Sequence, residues 1–297
     1  MTEPIDPPAD VPTPTVHVVT ASSCDLPADI ARDLDISSVP LAIRFGDEEF
    51  IDREEVSTAE CWPRCVNSDT LPETAAPAPG QFEQTYRSAA AKGATGIVVV
   101  SLSSALSATM QSAQLAARAI ADDHTVDLDV RVIDSRTITM GLGTIALACA
   151  RAARDGAGIG EIEALANDLV GRTRVYGALD TLENLKKGGR IGNAKALLAT
   201  ALAIKPIIEV TGGVVEQAGK QRTRSKALAH LVDTVKKYEG NIENLAVLHA
   251  DCSDVDLFVE MLAPYYPGEI VVGEIGPVIG THGGRGTIGV AFQVTTP

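Results

Sequence analysis

The sequence lacks both a long hydrophobic run and a targeting segment. No stretch of eighteen apolar residues occurs in its 297 residues, and the best apolar windows, Ile97–Val100 and Ile270–Val272, have the length of strands. The N-terminus is acidic and rich in proline, which is unlike a signal peptide or a transit peptide. We therefore expect a cytoplasmic protein without a membrane span.

Cysteine is also scarce. The five cysteines are odd in number and scattered along the chain, a pattern typical of reduced thiols in a cytoplasm. Cys61 and Cys65 lie four residues apart, but neither a second pair nor a nearby histidine completes a zinc site. We interpret the two thiols as packing on one helix face and predict no metal.

The common signatures of nucleotide-binding and hydrolytic enzymes are absent. The sequence contains no phosphate-binding loop, zinc-protease motif, nucleophile elbow or kinase motif set. Residues Gly284–Gly289 match the dinucleotide-binding pattern by letter, but only residues 290–297 follow, too few for the helix and second strand of such a site. We interpret the match as accidental and predict neither a cofactor nor a catalytic residue.

Basic residues are in deficit overall but not everywhere. The chain has 25 Lys and Arg against 39 Asp and Glu, a net charge of −14 that argues against nonspecific nucleic-acid binding. Between Arg172 and Lys237 the balance reverses to 13 basic and 5 acidic residues, a local net charge of +8. This basic zone indicates a face for an anionic ligand or an acidic partner, although two separately charged, solvated domains would look the same.

The remaining pattern predicts a two-domain α/β protein. Residues 1–14 carry five prolines and are predicted to form a disordered tail. Over residues 15–158, apolar runs alternate with polar loops and helical segments, which predicts an N-terminal α/β domain with a parallel sheet. After a boundary at Gly156–Gly160, hairpin signals predict a C-terminal α+β domain over residues 159–297. We expect the ligand in the cleft between them, because ligands gather at the carboxyl ends of parallel strands.

Three local patterns make sharper predictions. Asp25 is interpreted as a helix N-cap, with Pro27 in the first turn of that helix. Ser57 and Glu60 have the spacing of a capping box, which predicts a helix start. The segment Thr211–Gly213 lies between two strand-like runs and predicts a β-hairpin.

Two segments suggest contacts with an anion. Ser101–Thr109 follows a buried strand and opens a helix, and it has more hydroxyl groups than one helix cap needs. An ordinary serine-rich cap is the simpler alternative. His282 and Arg285 lie in a glycine-dense segment, Gly276–Gly289, that we expect to form a loop where backbone approaches a ligand closely. A histidine in such a loop is equally often structural.

Two basic clusters are further candidates. Lys186 and Lys187 are followed by two glycines and then by Arg190, which is the better candidate for meeting an anionic group. For the two lysines, a position at the end of a helix, where they complement the helix dipole, is the simpler alternative. Arg222 belongs to a second cluster, for which a solvated face is the alternative.

These segments together resemble the DegV family over nearly the whole chain after the tail. The resemblance implies two α/β domains that enclose one long-chain fatty acid, and a role as the fatty-acid-binding subunit of a bacterial fatty-acid kinase. The segments occur in the family's order: Thr20–Pro27, Ser101–Ala113, Asp134–Thr137, Leu185–Ile191, Lys205–Ile208, Lys220–Thr223 and Gly280–His282.

The resemblance also implies roles for particular residues. A threonine, a serine and a histidine of the family hold the carboxylate, and these match Thr74, either Ser104 or Ser107, and His282. The family's arginine after the double glycine matches Arg190, which with the basic surface would contact the kinase or the phosphate. Arg222 and Arg285 are predicted to join that contact. The chain departs from the family pattern at Ala21, Ala75, Ala76, Ala78 and Arg285.

The sequence therefore predicts a lipid-binding protein of phospholipid metabolism and not an enzyme. It would present the fatty-acid carboxylate to a separate kinase catalytic subunit, with at most transient membrane contact and no nucleic-acid partner. An acyl ester hydrolase with Ser104 or Ser107 as nucleophile and His282 as base is one alternative. A sensor of a non-lipid acidic metabolite is another. Acyl chain length, saturation and oligomeric state stay open.

Overall fold

Apolar runs of the first half form a parallel sheet with helices on both faces. The computed structural model describes residues 15–67, 71–199 and 204–295, so the predicted tail over residues 1–14 lies outside the described residues. The first half contains β1 (Val16–Ala21), α1 (Ala28–Asp33), β2 (Ser37–Val39), β3 (Ala42–Phe45), β4 (Glu48–Ile51), α2 (Thr58–Asn67), β5 (Glu73–Ala75), α3 (Pro79–Ala91), β6 (Gly96–Ser101), α4 (Thr109–Asp122), β7 (Asp129–Asp134) and α5 (Thr139–Arg154).

The four-stranded sheet has the order β2–β1–β6–β7, and all its strands are parallel. Every residue of β1 and β6 is buried. Val19 and Val99 pack toward α3 and α4, whereas Val18 and Val98 pack toward α5. Alternating side chains thus bury both faces, which explains why these strands read as continuous apolar runs. The predicted N-terminal parallel-sheet domain is confirmed.

Strands β3, β4 and β5 form a separate antiparallel sheet of order β4–β3–β5. Helix α2 packs beside it, with Cys61 buried against Ile43. The predicted capping box is present, since the Ser57 N–H donates to Glu60 Oε2 at 3.0 Å and the Glu60 N–H donates to Ser57 Oγ at 3.3 Å. The two thiols of α2 lie 3.4 Å apart, in agreement with packing on one helix face.

The second half forms a mixed sheet of order β10–β9–β8–β13–β11–β12, in which only the β11–β12 pair is parallel. The predicted hairpin joins β9 and β10, and Gly212 and Gly213 take the left-handed φ angles of +62° and +88° that such a turn needs. The helices and strands of this half are α6 (Ile159–Arg172), β8 (Thr173–Ala178), α7 (Glu183–Lys187), β9 (Lys205–Thr211), β10 (Val214–Gln221), α8 (Arg224–Lys236), β11 (Ile242–His249), α9 (Val255–Leu262), β12 (Val271–Glu274), α10 (Pro277–Gly283) and β13 (Ile288–Val294). Its 3₁₀ turns are Gly192–Ala199 and Ala263–Tyr265, whereas the 3₁₀ turn Ser22–Cys24 follows β1 in the first half.

Helix α5 lies between the two large sheets. Its side chains Leu142 and Ile145 share one core cluster with Val18 of the parallel sheet and with Val175 and Leu248 of the mixed sheet. A helix covered on both sides loses its polar face, which explains the alanine-rich, almost uncharged sequence of α5. Helix α6, which follows the predicted boundary, packs into the same core, and the boundary itself stays a prediction.

The structure corrects two local predictions. Asp25 is not a helix N-cap: it has a left-handed φ of +55°, it is buried, and α1 begins three residues later with Pro27 at its N-cap. The glycine-dense segment Gly276–Gly289 is not only a loop, because its first part forms helix α10. Pro277 suits a first helical turn, Val278 is buried, and Gly284 ends the helix at a φ of +84°.

Candidate functional site

An apolar cavity of about 1200 Å³, counted out to its open mouth, lies where the two halves meet. The loops that follow β6 and β7 line it, as expected for the carboxyl ends of parallel strands. Strands β8, β9 and β10 and helix α10 line it from the C-terminal half. The apolar side chains in its wall include Leu41, Leu102, Leu106, Ile138, Val175, Leu179, Leu185, Ile208, Val210, Val215, Leu248, Ile275, Val278 and Ile279.

Thr74 and His282 form a polar pair in the cavity wall. Thr74 lies on β5, where it pairs with Ile43 of β3, and His282 lies in the last turn of α10. Thr74 Oγ1 and His282 Nε2 are 3.1 Å apart, although the two residues are 208 positions apart in the chain. The structure therefore brings together two residues that the family resemblance assigns to one carboxylate site.

His282 is held in its neutral form. Burial, reinforced by the positive charge of Arg190, lowers the pKa of His282 to about 4. Its Nδ1 atom is buried and has no hydrogen-bond partner among the described residues. The ring lies directly against the Cα of Gly188, where an added Cβ would collide with Nδ1. The first glycine of the double-glycine segment thus makes room for the imidazole.

The structure separates the two candidate serines. Ser107 lines the cavity, and its Oγ lies 2.9 Å from Thr109 Oγ1 and accepts the Thr109 N–H at 3.3 Å, at the start of α4. Ser104 is exposed, does not line the cavity, and donates its hydroxyl to Asp134. The 14-residue helix α4 places its positive N-terminal end beside Ser107, which favours an anion at Ser107 over Ser104.

Arg190 lies at the rim of the cavity. It is exposed, yet it lines the cavity and donates from Nε to the Leu106 carbonyl at 3.3 Å and from Nη1 to the Gly188 carbonyl at 2.7 Å. The guanidinium therefore bridges the serine loop and the double-glycine segment. This position leaves a cation between the polar pair and solvent.

The other two predicted arginines lie away from the cavity wall. Arg285 is exposed and forms an ion pair with Asp251, with 2.7 Å between Nε and Oδ2. Arg222 is exposed just before α8. Part of the basic zone is already neutralised within the chain, as in the pairs of Lys205 with Asp180 and of Arg224 with Asp254. Exposed lysines flank Arg190 along the chain at positions 186, 187 and 195.

The four alanines that depart from the family pattern fall into two groups. Ala75 and Ala76 line the cavity beside Thr74, so they replace polar side chains with apolar wall. Ala78 is the N-cap of α3 and donates its N–H to Gln81 Oε1 at 2.8 Å, and Ala21 is buried against α2 and α10. These last two positions belong to the framework and not to the cavity wall.

The candidate nucleophile and base of the hydrolase alternative have other surroundings than a catalytic triad. Ser107 is hydrogen-bonded to Thr109, and within the described ranges His282 Nδ1 has no hydrogen-bonded acid that would orient the ring. Over the same ranges, no group of three or more His, Cys, Asp or Glu is placed to hold a metal ion. Thr74, His282 and Ser107 thus offer neutral hydrogen-bonding groups in a mainly apolar wall, which also contains Thr139 and Thr287.

Sequence reasoning missed one ion pair next to this site, between buried Asp25 and partly exposed Arg53. Asp25 Oδ1 accepts hydrogen bonds from Arg53 Nη2 at 2.6 Å and from the Gly276 N–H at 2.9 Å. Asp25 was interpreted as a helix cap, and Arg53 has no motif that marks it. The burial of Asp25 and its bond to Gly276 depend on the packing of distant segments, so no local pattern would have found them.

Comparison with known proteins finds one family over nearly the whole chain. A family model described as "Uncharacterised protein, DegV family" matches residues 15–295. A DegV domain-containing protein of Streptomyces coelicolor is 37% identical over 94% of this chain and 98% of its own length.

Two solved structures with names that state a ligand class have the same fold. A fatty-acid-binding DegV family protein from Thermus thermophilus superposes with a TM-score of 0.86 at 31% identity, over 94% of this chain and 99% of that chain. DegV of Bacillus subtilis, described as a fatty acid binding protein, gives a TM-score of 0.84 at 26% identity, over 95% and 99% of the two chains.

Proposed function

The chain belongs to the DegV family, and from this premise we propose that it binds one long-chain fatty acid in the cavity, with the carboxylate at the Thr74–His282 pair. The single observation that carries the proposal is a mainly apolar cavity between the two halves whose wall contains this neutral hydroxyl–imidazole pair. The names of the two similar solved structures support the same ligand class.

The apolar wall supplies the driving force. An acyl chain of about sixteen carbons gains roughly 0.8 kcal/mol for each buried CH₂ group, a gross contribution on the order of 12 kcal/mol before the costs of binding. Leucine, isoleucine and valine side chains from both halves surround the space that such a chain would fill. A small polar metabolite would leave most of this wall without a partner.

The head group needs hydrogen-bond donors when it leaves water. In the tautomer protonated at Nε2, neutral His282 donates to Thr74 Oγ1, which leaves the Thr74 hydroxyl hydrogen free to donate to a carboxylate oxygen. Ser107 supplies a second hydroxyl at the positive end of α4. Arg190 stays at the rim of the cavity, where its guanidinium is bonded to the Leu106 and Gly188 carbonyls.

Native mass spectrometry of the purified protein tests fatty-acid binding, followed by solvent extraction of the ligand. We expect a mass excess of one long-chain fatty acid per chain. A protein that is empty and also refuses oleate and palmitate would contradict the proposal. A turnover of p-nitrophenyl esters that disappears in His282→Ala would instead favour the hydrolase.

We further propose that the bound acid is presented to a separate fatty-acid kinase catalytic subunit, which forms the acyl phosphate. Arg190 supports this role because it is exposed, lies at the rim of the cavity and belongs to the basic zone. Among the helices in the described ranges, none has the length and apolar character needed to cross a bilayer. A cytoplasmic location, transient membrane contact and the lack of a nucleic-acid partner stay predictions.

The variant Arg190→Glu separates presentation from binding. With ATP and a fatty-acid kinase catalytic subunit, we expect Arg190→Glu to lose most acyl phosphate formation while its oleate affinity stays within about threefold of the wild type. Arg118→Glu is the matched control, because Arg118 is exposed on α4 outside the basic zone. Equal loss of binding and phosphorylation in Arg190→Glu would refute the division of roles. Arg222→Glu and Arg285→Glu would map how far the contact extends.

A further inference from the structure

An ion pair between buried Asp25 and partly exposed Arg53, both from the N-terminal half, holds the segment that precedes α10. Asp25 is 1% exposed and adopts a left-handed backbone conformation in the turn after β1. Its Oδ1 accepts from Arg53 Nη2 and from the backbone N–H of Gly276, which is 251 positions further along the chain. A left-handed backbone at a non-glycine residue and the burial of a carboxylate both raise the free energy of the folded state. The hydrogen bonds that Asp25 accepts from the other half and from Arg53 offset part of this cost.

Arg53 holds the same segment from a second side. It donates to the Glu274 carbonyl at 2.8 Å, and its guanidinium lies against the Cα of Gly276, where an added Cβ would come within 2.8 Å of Nη2. Asp25 and Arg53 therefore fix both the direction and the distance of the backbone between β12 and α10. Glycine at position 276 permits that close approach.

Gly276 is also the N-cap of α10, the helix whose last turn carries His282. Trp62 packs directly on Gly280 in the middle of this helix, and Asn184 Nδ2 donates to the Thr281 carbonyl at 3.2 Å. A helix is stiff over two turns, so a displacement at its first residue moves the imidazole at its end. The position of the Nε2 atom relative to Thr74 thus depends on where α10 begins.

We propose that Asp25 and Arg53 are positioning residues that hold α10 so that His282 meets Thr74 at the head-group end of the cavity. Neither residue lines the cavity, so the pair acts through the helix and not on the ligand. The proposal concerns the ligand-free geometry of His282, and only its consequence for affinity rests on the proposed fatty-acid function.

A matched control lies next to the pair. Asp52 is also buried, at 1% exposure, and its Oδ2 accepts the Ser22 hydroxyl at 2.6 Å. No hydrogen bond joins its side chain to α10 within the described residues. Asp52→Ala and Asp25→Ala therefore remove the same carboxylate at neighbouring buried sites, but only Asp25→Ala removes the acceptor of the Gly276 N–H and of Arg53.

The test follows His282 in the delipidated full-length protein by long-range ¹H–¹⁵N NMR with ¹⁵N-labelled histidine, and His282→Gln identifies its signals. In Asp25→Ala we expect the pKa of His282 to rise by about one unit toward its ordinary value and the ring nitrogens to change shift. Asp52→Ala should leave both unchanged. An unchanged His282 in Asp25→Ala, or an equal change in Asp52→Ala, would overturn the proposal.

Two further measurements keep the test decisive. Arg53→Met removes the partner charge while keeping an unbranched side chain, so it tests the same contact if Asp25→Ala does not fold. The double variant should perturb His282 no more than the larger single effect. Oleate affinity should then fall by about fivefold or more in Asp25→Ala and stay unchanged in Asp52→Ala. A wild-type protein that binds no oleate would refute the proposed function, while the His282 spectra would still decide the positioning role.

Discussion

The two ends of helix α10 are held in opposite ways. Just before its first residue, a buried aspartate and a partly exposed arginine hold the backbone through an ion pair and a hydrogen bond to Gly276. In its last turn, His282 meets Thr74 through a single hydrogen bond between neutral groups. Burial shifts the two titrating side chains in opposite directions, raising the pKa of Asp25 to about 7 and lowering that of His282 to about 4.

This difference separates a fixed contact from an available one. The Arg53 guanidinium and the Gly276 N–H are already used by the chain at the first end, which makes that end a rigid support. At the other end, the Thr74 hydroxyl keeps hydrogen-bonding capacity that the protein does not use up. A ligand with an acidic head group would add to the second end without breaking the first.

The largest expected effect is on stability at low pH. As pH falls below 6.5, a histidine in the unfolded chain binds a proton, whereas His282 in the native protein stays neutral until about pH 4, its native pKa. His282 therefore lowers the unfolding free energy as pH falls from 6.5 to 4. Relative to the wild type, His282→Gln should therefore gain up to about 3 kcal/mol in unfolding free energy between pH 6.5 and 4. Urea unfolding at pH 4.5, 5.5 and 6.5 measures this difference.

Asp25 should show the opposite sign in the same experiment. Its native pKa lies above that of an unfolded aspartate, so the native state binds the extra proton and gains stability as pH falls from 7 toward 4. Asp25→Asn lacks that gain and should lose stability relative to the wild type over the same range. Identical pH slopes for both variants would show that the two ends of α10 do not differ in this way.

The next largest effect is on ligand affinity at the neutral end. His282→Ala removes the donor that orients Thr74, and loss of a hydrogen bond serving a charged group costs about 1.5–3 kcal/mol, or roughly 10- to 100-fold in the oleate dissociation constant. His124→Ala is the control, because His124 is an exposed loop residue. Calorimetric titration with oleate measures both, and equal affinities for the two variants would remove His282 from the site.

The smallest effect distinguishes the two serines. Ser107→Ala should weaken oleate binding by about three- to tenfold, because one neutral hydroxyl donor at the cavity wall is lost. Ser104→Ala should change it by less than about twofold, since that hydroxyl is bonded to Asp134 outside the cavity wall. A larger loss in Ser104→Ala would reverse the assignment that the structure favours.

Elements with strong local signals were predictable from the sequence. The valine runs of β1 and β6 are buried on both faces, and the capping box at Ser57 and the hairpin at Thr211–Gly213 depend only on neighbouring residues. Helix α10 was not predictable, because seven residues with two glycines have a weak helical preference and the helix is held by packing against Trp62.

The candidate site was predictable only in part. The resemblance to a family marked Thr74, His282 and Arg190, which the structure places at one cavity. It left Ser104 and Ser107 undecided, because both hydroxyls precede the same helix. Only the tertiary structure shows that Asp134, at the end of the next strand, accepts the hydrogen bond of Ser104. It also left Arg222 and Arg285 as candidates, which the structure places away from the cavity wall.

The sequence by itself determined the elements with strong local signals, such as β1, β6 and the hairpin at Thr211–Gly213, since these follow from side-chain periodicity, caps and glycines within about ten residues. Tertiary structure alone decided which polar residues meet. The Thr74–His282 and Asp25–Gly276 contacts join residues 208 and 251 positions apart, and they form because α5 and α10 bring the two halves together around a shared apolar core. Local patterns carry no information over such distances, whereas close packing fixes them to within an ångström.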